Sequence, residues 1–217
     1  YFSPKTKSTA EKKYANAGFI ASDSVPVGTI IKLFEQKLGA SGPDEVFMDI
    51  GKRQVIEKGN RFTVYSLDRF IYHPVLLGRG EEKLKEYKRR IGYVSKTYMS
   101  KLGKPVGHRV LIHGVLEITQ PGDKVSYARV VKSYESIESG HLLTPYKKFE
   151  DQTSAFSETD KSIEGYIVAS KGDKIGIMYD DIIYIDKGWE DEVRPGDHFE
   201  VYSIPKIEIN IRIIMII

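Results

Sequence analysis

The feature that most constrains this sequence is an internal repeat. Residues 44–66 and 181–203 align without a gap at an offset of 137 positions. The identical pairs are Asp44/Asp181, Asp49/Asp186, Gly51/Gly188, Gly59/Gly196, Phe62/Phe199, Val64/Val201, Tyr65/Tyr202 and Ser66/Ser203. The same offset relates the preceding segment 28–31 to 165–168. A match that keeps both the glycine spacing and the apolar positions indicates a duplicated unit.

Each repeated segment has the pattern of β-strands joined by tight turns. Apolar and polar residues alternate through 61–67 and 198–204, which predicts strands with one buried face. Glycine followed by Asn60 or Asp197 is typical of a turn that leads into a strand. Further strands are predicted at 30–31, 45–50, 167–168 and 182–186, and one helical turn at 189–193. The predicted fold class is mainly β, with two repeated small β-barrel or SH3-like units.

The region between the repeats contains a predicted hairpin and an insertion. Residues 110–119 and 124–133 are predicted to pair across the turn Gln120-Pro-Gly-Asp123. The insertion spans 78–107, and its segment 81–90 has helix-forming residues with Glu-to-Lys/Arg pairs at helical spacing. We expect one inserted helix there.

These patterns give a linear domain organisation. We expect a flexible N-terminal segment over 1–17, a first β unit over 18–146, a linker over 147–161 and a second β unit over 162–217. The second unit looks truncated, because it ends in the apolar tail 207–217. We expect Ile207, Ile209, Ile211 and Ile213 to form a strand for self-association.

Composition excludes several classes of protein. The 33 basic and 30 acidic residues give a formal net charge of +3, far from the bias of a dedicated nucleic-acid binder. Without cysteine there is neither a disulfide nor a cysteine-ligated zinc site. No run of about 18 apolar residues is present, so we expect no membrane-spanning helix.

No motif predicts catalysis or a metal site. The sequence has no G-x-S-x-G, P-loop, dinucleotide glycine fingerprint or H-E-x-x-H motif, so we predict a non-enzymatic protein without a cofactor. His108 and His113, on one strand, would point to opposite faces and could not share a metal ion. The acidic residues between 180 and 192 fit turn capping better than calcium binding. We expect Trp189 to pack over its own unit.

One basic segment is the candidate contact surface. It is formed by Lys83, Lys85, Tyr87, Lys88, Arg89 and Arg90, which could meet phosphate groups or anionic envelope polymers. The alternative is a solvated helix face, because Glu81, Glu82 and Glu86 offset much of the charge.

Several segments, in order, carry a resemblance to a known family. They are residues 46–51, 59–65, 114–118, 128–134, 164–170 and 193–202. Together they resemble the region downstream of the LysM module in bacterial LysM-containing envelope proteins, with a weaker similarity to small β units of flagellar assembly proteins. The resemblance implies a periplasmic location in the cell envelope and a scaffold role, with envelope proteins or peptidoglycan as partners. The chain has no LysM motif, so glycan binding is not carried to any residue.

The predicted function is a non-enzymatic envelope scaffold or interaction region that acts by surface recognition or self-association. Two alternatives stay open: a peptidoglycan-binding carbohydrate module, and a small-barrel nucleic-acid-binding protein.

Overall fold

A computed structural model of the chain describes residues 15–22, 25–77, 103–147, 162–174, 176–194, 196–204 and 213–216. The strands are β1 (Phe19–Ala21), β2 (Gly28–Leu33), β3 (Glu45–Met48), β4 (Arg61–Leu77), β5 (Gly103–Gln120), β6 (Ser126–Ser133), β7 (Leu142–Pro145), β8 (Gly165–Ser170), β9 (Ile183–Ile185), β10 (Val201–Ile204) and β11 (Ile213–Ile216). Three short 3-10 turns lie at Phe34–Gln36, Lys52–Gln54 and Trp189–Asp191. The chain is mainly β, as predicted.

The first seven strands form one sheet in the order β1-β5-β4-β7-β2-β3-β6. Because β6 also pairs with β5, six of these strands make a closed ring of pairings. The β5–β6 pairing runs from Gly114 opposite Ser133 to Gln120 opposite Tyr127, which confirms the predicted hairpin. The other edge of β6 pairs with β3, with Phe47 opposite Tyr127.

Alternating side chains place the main core inside this ring. On β3, Val46 and Met48 are fully buried, and on β6 the small residues Ser126 and Ala128 point the same way. The core cluster is Ile30, Leu33, Ala40, Val46, Met48, Ile50, Ile56, Phe62, Val64, Leu116, Ile118, Ala128, Val130, Ile137 and Leu143. Burial of this apolar surface is the main stabilising contribution to such a sheet.

The second sheet has the order β10-β11-β8-β9. Strand β11 is antiparallel to both neighbours, with Tyr202 opposite Met215 on one side and Tyr166 opposite Met215 on the other. The last part of the apolar tail therefore lies inside this sheet. No helix among the described residues is long and apolar enough to cross a membrane.

The chain divides into two compact units that are not contiguous in sequence. Residues up to 68 and from 109 to 150 belong to the first unit, and residues 69–108 and 151–217 belong to the second. The predicted organisation assigned the whole of 18–146 to the first unit. The difference arises because β4 and β5 are long, so that their far ends are counted with the second unit.

The end of the insertion predicted over 78–107 is instead part of a strand. Residues 103–107 already belong to β5. The helix predicted over 81–90 lies outside the described residues, and so do most of the N-terminal segment and of the linker.

Candidate interaction surfaces

The residues predicted from sequence to form contacts fall mostly outside the described part of the chain. This applies to Lys83, Lys85, Tyr87, Lys88, Arg89 and Arg90, and also to Ile207, Ile209 and Ile211. Ile213 is described and begins β11, where it pairs with Ile204 of β10. The predictions of a basic contact surface and of an association strand stay predictions.

A row of aromatic side chains lies on the outer face of the first unit, the face of the sheet opposite the core. Phe47 and Tyr127 are cross-strand neighbours whose ring centroids are 4.7 Å apart, and Phe34 stacks on Phe47 at 6.3 Å. Phe34 is 47% exposed and Tyr127 is 37% exposed. We call these three side chains the aromatic row.

A row of alternating charges runs beside the aromatic row. Glu117 on β5 lies opposite Arg129 on β6, and Arg129 lies opposite Glu45 on β3. Arg61 on β4 donates to Glu117 at 2.8 Å through both Nε and an Nη atom. Acidic and basic groups alternate across these four strands, so the charges of this row balance.

Turns that are equivalent at the offset of 137 are held by the same hydrogen bonds. The Thr29 backbone N–H donates to Asp49 Oδ1, and the Asp49 N–H donates back to the Thr29 carbonyl at 3.1 Å. In the second unit Tyr166 N–H donates to Asp186 Oδ1 at 2.7 Å, and Asp186 N–H donates to the Tyr166 carbonyl at 3.1 Å. A carboxylate that accepts a backbone N–H forms a strong, charge-assisted bond.

A second turn repeats in the same way. Lys37 forms an ion pair with Asp44 at 2.7 Å, and Asp44 also accepts the Ser41 N–H. Lys174 forms an ion pair with Asp181, which accepts the Met178 N–H at 2.9 Å. The bond to Lys37, followed by the Ser41 N–H, lowers the pKa of Asp44. The side-chain bond to Asp44 raises the pKa of Lys37.

The third turn joins the last two strands of each segment. Gly51 N–H donates to Gln54 Oε1 at 2.8 Å, and Gly188 N–H donates to Asp191 Oδ2 at 3.0 Å. The bond from Gly188, followed by that from Lys187, lowers the pKa of Asp191. The next residue has a left-handed backbone in both turns, with φ of 56° at Val55 and 64° at Glu192.

The strand registers agree as well. Ile30 pairs with Met48 and Lys32 with Phe47, with a bulge between them. At the equivalent positions Ile167 pairs with Ile185 and Ala169 with Tyr184, again with a bulge. On its other edge β2 pairs with β7, and β7 pairs in turn with β4. In the same way β8 pairs on its other edge with β11, and β11 pairs with β10. The apolar tail thus supplies the strand that corresponds to β7.

A polar cluster of histidines lies in the first unit. His113 Nε2 is 2.8 Å from Ser66 Oγ, His113 Nδ1 is 3.7 Å from Glu135 Oε2, and the His141 ring stacks on His113 at 4.0 Å. Burial lowers the pKa of both histidines, and the nearby His113 lowers that of His141 further. Both imidazoles therefore bind a proton more weakly than a histidine in water does.

Ser66, His113 and Glu135 are in the order of a nucleophile, base and acid, but Glu135 is beyond hydrogen-bond distance from Nδ1. Ser66 lies within the regular strand β4. His113 is therefore a base next to the Ser66 hydroxyl, but Glu135 is not hydrogen-bonded to His113 as the third member of a triad would be.

The acidic residues of the second unit serve as turn caps. Asp181, Asp186 and Asp191 each accept a backbone N–H. No cluster of three or more metal-ligating side chains is present among the described residues. Trp189, expected to pack over its unit, is instead largely exposed, with the Arg194 guanidinium 4.6 Å from its ring centroid.

Sequence reasoning missed the aromatic row. The signal available was alternation: Phe47 stands between buried Val46 and Met48, and Tyr127 stands between buried Ser126 and Ala128. That alternation predicts outward side chains, but the pairing that joins the two rings links residues 80 positions apart and is not visible in the sequence.

Comparison of the chain with protein-family models, with curated proteins and with solved structures finds no match.

Proposed function

We propose that the chain is a non-enzymatic interaction region of the bacterial cell envelope, located in the periplasm, that recognises its partners through the outer face of the first unit. We further propose that the two units derive from one duplicated SH3-like β unit. The shared turn bonds and strand registers support the duplication. The resemblance of several ordered segments to LysM-associated regions supports the location.

The aromatic row carries the proposal of surface recognition. Phe34, Phe47 and Tyr127 form a ring surface that remains accessible to water, although burying it would be favourable. Aromatic side chains are enriched where proteins bind partners. The alternating charges beside the row provide donors and acceptors for orientation.

A carbohydrate-binding module is the second candidate, and the same row favours it. Rings can stack on the apolar faces of sugars, while Arg129 and Glu45 can bond to hydroxyl groups. Nucleic acid is less suitable, because Arg61 is paired with Glu117 and Arg129 lies between Glu117 and Glu45.

The test is co-sedimentation with peptidoglycan sacculi in two forms, with their associated proteins and after protease treatment. We expect the chain to sediment with untreated sacculi, and the double variant Phe34→Ala, Tyr127→Ala to lose about tenfold in affinity. The control is Val55→Ala, which truncates an even more exposed apolar side chain elsewhere in the first unit.

Binding that disappears after protease treatment supports a protein partner, and binding that survives it supports the carbohydrate module. Failure to sediment with either form, or equal binding by the double variant, contradicts recognition through this face. The non-enzymatic character is tested with small ester substrates: turnover that Ser66→Ala and His113→Gln both abolish would contradict it.

A further inference from the structure

Positions that are equivalent in the two units differ in exposure. Val64 is 0% exposed, whereas its equivalent Val201 is 52% exposed. The β2 and β3 core residues Ile30, Val46 and Met48 are buried, and their equivalents Ile167, Ile183 and Ile185 are only partly buried. The second unit therefore presents to solvent the apolar face that the first unit uses as its core. We call this the open face.

The first unit shows what covers such a face. Strand β6 pairs with β3, and the inward side chains of the β5–β6 hairpin include Leu116, Ile118 and Val130. The segment after the hairpin adds Ile137, which forms a bridge with Ala40 through bonds of 2.7 and 3.1 Å. Leu116, Ile118 and Ile137 are all fully buried in this arrangement.

Two pairs of equivalent glycines also differ in how closely other atoms approach them. A Cβ placed on Gly51 would lie 2.3 Å from the Asp123 carbonyl oxygen, and one on Gly39 would lie 2.2 Å from Ser136 Oγ. A Cβ on the equivalent Gly188 or Gly176 meets no atom of the described structure within 4 Å. In the first unit each of these positions is in contact with the hairpin or the segment after it, and no described residue takes that place in the second unit.

The turn beside Gly176 has changed from small to large apolar residues. Ala40 is 2% exposed, whereas its equivalent Ile177 is 39% exposed, and the next two residues, Met178 and Tyr179, are more exposed still. The backbone of this turn is fixed by the ion pair of Lys174 with Asp181. Large apolar side chains on a preorganised turn are typical of protein contact sites.

The opposite face of the second sheet makes side-chain contacts within the second unit. The His73 ring packs edge-on against Tyr166 at 5.0 Å, and His73 Nε2 lies 3.2 Å from Asp186. Tyr184 is buried and makes further contacts. These contacts lie on the face of the second sheet opposite the open face.

We propose that the open face binds a β-hairpin of a protein partner, with the apolar pattern and turn of this chain's own β5–β6 hairpin. The side chains of such a hairpin would cover Ile185 and Val201, and its turn would lie against Gly188, as Asp123 lies against Gly51. Binding of the hairpin would bury apolar side chains of both partners and would fit its turn into the space beside Gly188. The inference rests on the proposed role as an interaction region and names the partner class for the second unit.

The experiment uses the full chain and a synthetic peptide of residues 114–139 as the probe. Trp189 is the single tryptophan of the chain, it follows Gly188, and the peptide contains none, so its fluorescence reports binding at this site. We expect saturable binding, weakened about tenfold or more by Val201→Asp. Gly188→Gln, which leaves β10 untouched and fills the space of the hairpin turn, should weaken binding as much.

Val55→Asp is the matched control, because it places the same charge at an exposed position of the first unit, and it should leave the affinity unchanged. Absence of saturable binding to the unmodified chain, or equal affinity of both open-face variants, overturns the proposal. Concentration-dependent dimers of the chain alone that Val201→Asp abolishes also overturn it, since the occupant is then a second copy.

The sacculus assay depends on Phe34 and Tyr127 of the first unit, so failure of either proposal can be recognised separately.

Discussion

The two units share a backbone frame and differ in what covers it. Three turns carry the same hydrogen bonds and two strand pairs keep the same bulged register. Yet Val64 is fully buried inside a closed ring of strands, while the equivalent Val201 is 52% exposed. The frame is therefore specified by short-range bonds within the repeated segment, and burial is specified by other parts of the chain.

This separation has a functional consequence. Under our proposal, the surface that forms the core of the first unit serves as a binding face in the second, where its cover is not supplied in the same way. The difference between the two units can be tested by making the same substitution at equivalent positions of both.

The largest difference is expected for aspartate at the two equivalent valines. Val64→Asp places a charge in the core and should lower the free energy of unfolding of the first unit by more than about 4 kcal/mol. Val201→Asp should cost less than about 1 kcal/mol, because the side chain already contacts water. Hydrogen exchange of the strand amides in each unit measures both effects in one protein.

Threonine provides a milder version of the same pair, with almost no change in shape. Val64→Thr should still be clearly destabilising and Val201→Thr nearly neutral. Equal losses at the two positions would mean that Val201 is covered in solution, and the open face would then not exist.

A smaller difference is expected at the two equivalent glycines. Gly51→Ala brings a Cβ against the Asp123 carbonyl and should cost about 1–3 kcal/mol. Gly188→Ala meets open space and has an extended backbone, so it should be neutral or stabilise by up to about 1 kcal/mol. Urea unfolding of the two variants measures the contrast, and a clear loss with Gly188→Ala would contradict it.

The smallest effect concerns the histidine pair of the first unit. His113 and His141 bind protons more weakly in the folded chain than when unfolded, so the free energy of unfolding should decrease as the pH falls below about 6.5. His141→Gln should reduce this loss by less than about 1 kcal/mol. Urea unfolding at pH 7.5 and 5.5 measures it.

The control for that measurement is His198→Gln, which removes an exposed histidine of the second unit. A pH dependence that is unchanged by His141→Gln would show that the stacked pair does not titrate on unfolding.

Local patterns predicted the repeated strands and the β5–β6 hairpin well, because alternation and turn glycines act over a few residues. They did not predict the length of β4, expected to end at Leu67 and observed to end at Leu77. Pro74 interrupts the strand pattern there, since proline cannot donate a ladder hydrogen bond. The observed division into units also differs from the contiguous domains that we predicted. That division depends on which unit the far ends of β4 and β5 belong to.

The surfaces were harder to predict than the strands. Sequence pointed to charged and apolar segments that stand out in composition, whereas the aromatic row arises from Phe47 and Tyr127 meeting across two strands. The open face arises because no strand among the residues that the structure describes covers side chains whose sequence is that of an ordinary core. Both depend on long-range pairing, to which a single sequence gives no direct access.

The strand that β11 provides has a consequence for the order of assembly. Gly165 pairs with Ile216, 51 positions away, whereas the equivalent Gly28 pairs with Leu143, 115 positions away. Contacts that are closer in sequence form faster, because less chain entropy is lost in closing the loop. The second sheet can therefore assemble before the first ring closes, so that the difference in strand separation would set the order in which the two sheets form.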